Sequence, residues 1–221
     1  GYSVAIADSE KELGGRINKE SMLPGMSSYK RVTDYRVSQI NQLDNVDIYL
    51  ENTLSPDDVL ELGFDHVVTA TGSSWQPSIM DEKTAPVAIT KTNSIFTPED
   101  ILKGCELKSP VLIFDFDYYY MGGLMAEYIK DLGHEVTIIT PFEKVSPWSF
   151  NSNEVTEIKL KLLEKDIKVI TDHRIIEIEE SSVTIIHQVS NKQKDIARGS
   201  LVLVGNRKQN DSLYNSLNSN Q

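Results

Sequence analysis

Val111–Thr140 reads VLIFDFDYYYMGGLMAEYIKDLGHEVTIIT, and this stretch decides the fold. Val111–Phe114 is a short apolar run after Pro110, as expected for a buried parallel strand. Behind Gly122 and Gly123, the apolar positions Leu124, Met125, Tyr128, Ile129 and Leu132 recur at helical spacing. Gly133 stops that helix, and Val136–Ile139 supplies the next strand. Strand, loop, helix and strand at this length make the βαβ unit from which nucleotide-binding sheets are built.

The loop inside this unit carries the wrong residues for a phosphate. A dinucleotide fingerprint places glycines at the turn so that backbone N–H groups at a helix N-terminus can approach a pyrophosphate. Here the turn carries Asp115, Asp117, Tyr118, Tyr119 and Tyr120. Two carboxylates are comfortable at a helix N-terminus, where they suit a capping role, but they repel a phosphate. The tyrosines fill the space it would need. The sequence therefore predicts a nucleotide-binding architecture whose second nucleotide site is closed.

A chain of 221 residues with 39% hydrophobic content can bury one large core or two small ones. No apolar run is long enough to span a bilayer, and no signal peptide is expected. The net charge of −11 argues against nucleic acid and anionic membranes as partners, leaving solubility or an acidic docking face as its use. Cys105 is alone, so no disulfide, cysteine-bound zinc site or iron–sulfur cluster can be built from this chain by itself. A cytoplasmic location is the expectation.

Tyr2–Ala7 alternates as a strand that ends at Asp8, and a loop with Gly14, Gly15 and Arg16 follows. An acidic residue at the end of a second nucleotide-fold strand bonds the adenosine ribose hydroxyls, about 20 residues after the glycine fingerprint. That spacing puts the first strand and its glycine loop ahead of residue 1. Ser28–Leu43 is expected to be helical and Val46–Leu50 a strand. Ser55-Pro56-Asp57-Asp58 and Thr97-Pro98-Glu99-Asp100 are helix starts, each with a capping hydroxyl, a first-turn proline and acids behind it. His66–Ala70 is expected to be a strand running into Thr71-Gly72. The pattern breaks across Ser73–Lys91, where Trp75, Pro77 and Pro86 interrupt it. Asn153 is expected to cap a helix reaching about Lys165. Lys168–Thr171, Arg174–Glu179, Val183–Gln188 and Leu201–Val204 are expected strands, and the polar tail from Asn206 shows no packed element.

These motifs together bring a family into view. D-x4-LGGR at Asp8–Arg16, LPG at Leu23–Gly25, VVTATG at Val67–Gly72 and then a second βαβ unit follow the order of flavin disulfide-reductase-like folds. The double-glycine loop Asp115–Gly123, with TPFEKVSPW at Thr140–Trp148, VITDHRI at Val169–Ile175 and the closing LVLVGNR, resembles the trimethylamine dehydrogenase family. More widely it resembles the C-terminal region of NADH:flavin oxidoreductases of the iron–sulfur flavoprotein type. The resemblance covers nearly the whole chain.

The resemblance implies an α/β fold of two Rossmann-like, glutathione-reductase-type units, the first incomplete. Residues 1–76 would form a partial FAD/ADP-binding-like domain, residues 77–198 an inserted NAD(P)-binding-like domain, and residues 199–221 the return to the first. It implies that Asp8 takes a ribose diol, that Gly14, Gly15 and Arg16 lie beside phosphates, and that Thr71 and Gly72 line the same crevice around ADP or an FAD-like nucleotide. FMN, a 4Fe-4S cluster and the amine site would belong to a β/α barrel outside these residues. The remainder of the parent chain and an electron-transfer flavoprotein are the implied partners, and homo-oligomerisation is open to the parent. On this reading the chain is an internal fragment, inactive alone, whose closing Gly-Asp segment lies beyond Gln221. Two alternatives are an NAD(P)H-dependent flavin oxidoreductase, which needs glycines at Asp115 and Asp117, and a non-catalytic docking scaffold. His66, His134, His173 and His187 show no metal spacing, and Cys105 has no C-x-x-C partner.

Overall fold

The computed structural model describes residues 1–79, 87–89 and 94–219, in two compact units. The first comprises Gly1–Ser73 with Gln209–Gln221, and the second Ser74–Lys208.

In the first unit Val4–Ala7 (β1) pairs in parallel with Val46–Tyr49 (β2), in the register Val4↔Val46 to Ala7↔Tyr49. Between them lie Arg16–Glu20 (α1), a 3₁₀ turn at Ser27–Tyr29 and Lys30–Ile40 (α2). The helix expected from Ser28 is thus split, with its first residues in the tighter turn. Leu23, Met26 and Thr33 are buried beside these helices. Pro56–Glu61 (α3) starts as its sequence dictates. The Ser55 hydroxyl accepts from the Asp58 N–H at 3.2 Å, and the Asp58 carboxylate accepts from the Ser55 N–H at 2.8 Å. His66–Ala70, expected to be a strand, forms no ladder with any described residue, and Val68 is 89% exposed. An extended apolar run becomes a strand only where a neighbour offers hydrogen bonds.

Ser73–Trp75 (β3) leads out of the first unit. Ala88–Ile89 (β4) and Ile95–Phe96 (β5) follow; residues 80–86 and 90–93, where much of the expected break falls, lie outside the described residues. Pro98–Leu102 (α4) carries the second capping box, between Thr97 and Asp100. The βαβ unit then forms as read: Val111–Asp115 (β6), Met121–Asp131 (α5) and Val136–Ile139 (β7). A 3₁₀ turn at Pro147–Phe150 precedes Val155–Glu164 (α6). Asn153 is not the cap of α6; it adopts φ +61°, and Glu154 takes the N-cap position. Lys168–Ile170 (β8), His173–Ile178 (β9), Ser182–His187 (β10), Gln193–Ala197 (β11) and Ser200–Val204 (β12) complete the unit. β11 is a strand the sequence reading left out. Arg207–Gln209 (β13) pairs with β3, and Ser212–Ser219 (α7) gives the polar tail a helix that was not expected.

Five parallel strands in the order β5-β12-β6-β7-β8 form the main sheet, and β11-β10-β9-β4 a second one. β12, expected in the return segment, is the second strand of the main sheet, pairing with both β5 and β6, and the chain leaves this unit only after Lys208. All five residues of β6 and of β12 are buried, as a parallel strand covered on both faces requires. Leu112, Phe114, Ile139, Leu201 and Leu203 pack against Ile175, Ile178, Val183 and Ile185 of the second sheet. By strand alternation Ile113, Ile138 and Val202 face the other way, towards the side on which α5 packs with Met121, Met125, Ala126 and Ile129 buried. Among the described residues no helix is long and apolar enough to cross a membrane.

Leu203 is fully buried between the layers, whereas Leu163 on α6 is 66% exposed. Leu203→Ala is expected to lower unfolding free energy by roughly 2–5 kcal/mol, and Leu163→Ala by under about 0.5 kcal/mol. Urea denaturation of the two variants checks the difference; equal losses would place Leu203 outside the core.

Candidate functional site

The end of β6 carries the deciding side chain. Asp115 is 1% exposed, and its Oδ1 accepts a hydrogen bond from the Asp117 N–H at 3.2 Å. A Cβ on Gly122 would lie 2.2 Å from Asp115 Oδ2, so the carboxyl fills the space that the missing side chain leaves at the first turn of α5. The expected capping role is corrected here. Tyr120 is the N-cap of α5 and the helix start has no side-chain cap bond, while Asp115 Oδ2 has no hydrogen-bond partner among the described residues. Burial pushes the Asp115 carboxyl up to about 7; the Asp117 N–H opposes this and the negative charge of Asp117 adds to it. The expectation of two ionised carboxylates at this turn therefore gives way to one buried carboxyl held towards its neutral form. The space beside Gly122 at this helix start holds an oxygen of the chain itself.

The tyrosines that follow divide their work. Tyr119 and Tyr120 hold their ring centroids 4.8 Å apart. Tyr118 turns the chain at φ +67° and lays its ring 3.9 Å from that of Phe142. The loop after β7 comes back to meet it, the Trp148 N–H donating to the Tyr118 carbonyl at 3.0 Å and the Asp172 N–H to the Phe142 carbonyl at 3.0 Å. Between these loops lies a cavity of about 500 Å³ whose walls include Tyr118, Phe142, Trp148 and Phe150. Sequence reading missed it because its walls come from three loops. The available signal was an unusual density of aromatic residues just after strand ends.

The six residues expected around a nucleotide in the first unit fall into separate local networks. Asp8 ends β1; its Oδ1 accepts from the Glu10 N–H at 2.9 Å and its backbone N–H donates to the Tyr49 carbonyl at 2.9 Å. Gly14, at φ +124°, lets α1 approach α2, since a Cβ there would lie 2.6 Å from Thr33 Cγ2. Gly15, at φ +51°, precedes α1 with open space where its side chain would be. Arg16 pairs through Nε with Glu20 Oε1 at 2.8 Å, neutralising a carboxylate that is 1% exposed. Thr71 and Gly72 are zipped to Asn210, which donates from Nδ2 to the Thr71 carbonyl at 3.0 Å and from its N–H to the Gly72 carbonyl at 3.0 Å. No hydrogen bond or ion pair among the described residues joins these three groups. Gly14 packs against Thr33, and the Arg16 guanidinium is engaged with Glu20. A second cavity of about 550 Å³ lies beside α2, lined by Glu12, Leu13 and Lys30 among others, and takes in none of the six.

Other reactive side chains have ordinary settings. His173 and His187 face each other across the β9–β10 pair with ring centroids 5.0 Å apart. Among the described residues no group of three or more His, Cys, Asp or Glu side chains is arranged for a metal ion. Burial raises the Cys105 thiol, and Asp100 adds to the effect, which disfavours the thiolate.

A family model for the OYE-like second alpha/beta domain matches residues 96–215, just over half of the chain and nearly all of the parallel sheet. The chain belongs to that family. The chain is 33% identical to histamine dehydrogenase from Rhizobium sp. 4-9, with a TM-score of 0.94 over 100% of this chain and 35% of that one. It is 34% identical to the 6-hydroxypseudooxynicotine amine oxidase of Pseudomonas geniculata N1, with a TM-score of 0.95 over 100% of this chain and 33% of the other. Dimethylamine dehydrogenase of Hyphomicrobium sp. (strain x) is 25% identical over 244 residues, covering 98% of this chain. The chain spans about a third of the length of that curated relative, 33%. It is thus similar to amine-oxidising oxidoreductases and shares their α/β architecture here.

The Asp115 setting has a pH signature. Below about pH 4 the carboxyl is protonated in both folded and unfolded chains; above that the unfolded chain ionises first, so stability falls until about pH 7 and then levels. The loss is roughly 4 kcal/mol at most. Asp115→Asn keeps the shape and the acceptor for Asp117 and is expected to flatten that slope. Urea denaturation of both proteins at acid and neutral pH checks it; an unchanged slope would mean Asp115 is ionised in the fold.

Proposed function

We propose that the chain is the nucleotide-domain part of an amine-oxidising iron–sulfur flavoprotein and acts as a structural module in it. The observation that carries this reading is the Asp115 carboxyl packed against Gly122, which fills the space beside the helix start of the second unit. In this proposal both units are Rossmann-like, the first is incomplete, and the second binds neither NADH nor NADPH. Amine oxidation, FMN and the 4Fe-4S cluster belong to parts of the parent outside these residues. Similarity to the histamine and dimethylamine dehydrogenases supports the assignment to an amine oxidoreductase. An ADP or FAD-like nucleotide would be held in the first unit with its ribose on Asp8, and Gly15, Thr71 and Gly72 near it. Its phosphates would lie beside Gly14, Gly15 and Arg16, at the start of α1. The parent is proposed to be cytoplasmic and to pass electrons to an electron-transfer flavoprotein.

Exposure in the first unit supports its incompleteness. β1 and β2 form a sheet of two strands, β1 is exposed along three of its four residues, and Val67 and Val68 lie 49% and 89% exposed without a ladder. Parallel strands are stable when both faces are covered, and this pair is not. A further strand beside β1 would cover that surface. Amide exchange tests it: β1 and Val67–Ala70 should exchange rapidly in the 221-residue chain and slow by at least about tenfold in the parent protein. Equal rates would count against a covering strand.

Titration separates the readings of function. NADH and NADPH are expected to show no saturable binding to the chain up to about 1 mM, whereas the parent should bind ADP and be reduced by an amine. Micromolar affinity for NADH, with bleaching of a flavin spectrum, would overturn the closed-site reading in favour of an NAD(P)H-dependent flavin oxidoreductase. A parent that oxidises no amine would favour the docking scaffold.

A further inference from the structure

The cavity between Tyr118 and the loop after β7 has no part in the function proposed above. We propose that it is a binding site for a planar aromatic cation, such as an arylalkylammonium ion. Its place is the first argument. Tyr118 follows β6, Phe142 to Phe150 follow β7, and Asp172 follows β8, so the cavity opens at the carboxyl ends of three adjacent parallel strands. Ligands of parallel α/β sheets collect at that edge. A volume of about 500 Å³ is in the range of small-molecule sites.

The walls give the ligand's shape. Trp148 and Phe150 are 60% and 66% exposed, yet their loop is tied down by the Trp148 N–H bond to Tyr118 and the Asp172 N–H bond to Phe142. Apolar rings kept in water on a fixed loop suit a stacking partner. Three non-glycine residues at or beside the cavity hold positive φ: Tyr118 at +67°, Ser146 at +53° and Asp172 at +57°. Such strain gathers where a surface is shaped for a ligand rather than for its own stability.

The charges give the ligand's sign. Glu143 and Asp172 stand on the wall, and Lys144 already holds its Nζ 5.4 Å from the Phe150 ring centroid, so a cation over an aromatic face is formed here by the chain itself. Lys144 is exposed and can swing away on its flexible stem when another cation arrives. A phosphate or carboxylate would meet two carboxylates against the single Lys144, on a chain of net charge −11. An aromatic cation gains from both the rings and the acids.

Trp148 is the natural reporter, because Trp75 is 4% exposed under the Arg207 guanidinium, which lies 3.9 Å from its ring centroid. The probes are 2-phenylethylammonium, the uncharged 2-phenylethanol and the anionic 3-phenylpropanoate, added to the 221-residue chain. Saturable quenching of tryptophan emission is expected for the ammonium ion, about tenfold weaker binding for the alcohol, and none for the carboxylate. Glu143→Gln with Asp172→Asn should lower ammonium affinity about tenfold and leave the alcohol unchanged. Trp148→Phe should abolish the quenching while calorimetry still detects binding. Near-ultraviolet circular dichroism of the buried Trp75 confirms that each variant is folded. Equal binding of all three probes, tighter binding of the carboxylate, or no saturation of the ammonium signal by about 10 mM would overturn the proposal.

Discussion

Strand β6 lies between β12 and β7 with every residue buried, so both its edges and both its faces are committed before its last side chain is placed. Asp115 is that side chain, and solvent is not available to it. The carboxyl goes to the one space left by a neighbour without a Cβ, the first turn of α5 at Gly122. Two consequences come from this single placement. The helix start loses its room for an external anion, and the carboxyl is forced towards its neutral form because its charge would be stranded in the interior. Gly122, which in a dinucleotide loop admits a phosphate, here admits a side chain from the same unit.

What was legible in the sequence was what is decided locally. The two capping boxes at Ser55 and Thr97 formed as written, because hydroxyl, proline and acid sit within one turn and need no tertiary help. The βαβ core was legible because its burial on both faces writes itself as apolar runs. β11 was missed because Gln193, Lys194 and Asp195 are exposed on an edge strand, where pairing comes from the neighbour and not from hydrophobicity. α7 was missed because a short Asn- and Ser-rich helix has little periodicity to read. His66–Ala70 failed the other way, with the right composition for a strand and no described partner to complete it. At the site, the sequence located Asp115 and Gly122 and mistook their relation. Capping and burial place the same carboxyl near the same helix start, and only the three-dimensional packing decides whether it reaches the N–H groups or lies against the glycine.

The same logic sets the two units apart. In the second, the sheet is covered by α5 on one side and by β9 and β10 on the other, and its central strands β6 and β12 are dry from end to end. In the first, β1 has the same parallel geometry with β2 but exposes Val4 and lies alongside no other described strand. Buried apolar area is what offsets the entropy of ordering a chain, so the second unit can hold its shape from its own residues while the first has far less with which to do so. Capping at Ser55, the Arg16–Glu20 pair and the Asn210 zipper on Thr71 and Gly72 supply polar order there in place of a deep core. Such bonds fix local geometry well and contribute little net stability, since each exchanges for water. In the proposed role, a nucleotide site on Asp8, Gly15 and Gly72 would owe its rigidity to an apolar surface covering β1 and Val68 as much as to the residues that touch the ligand.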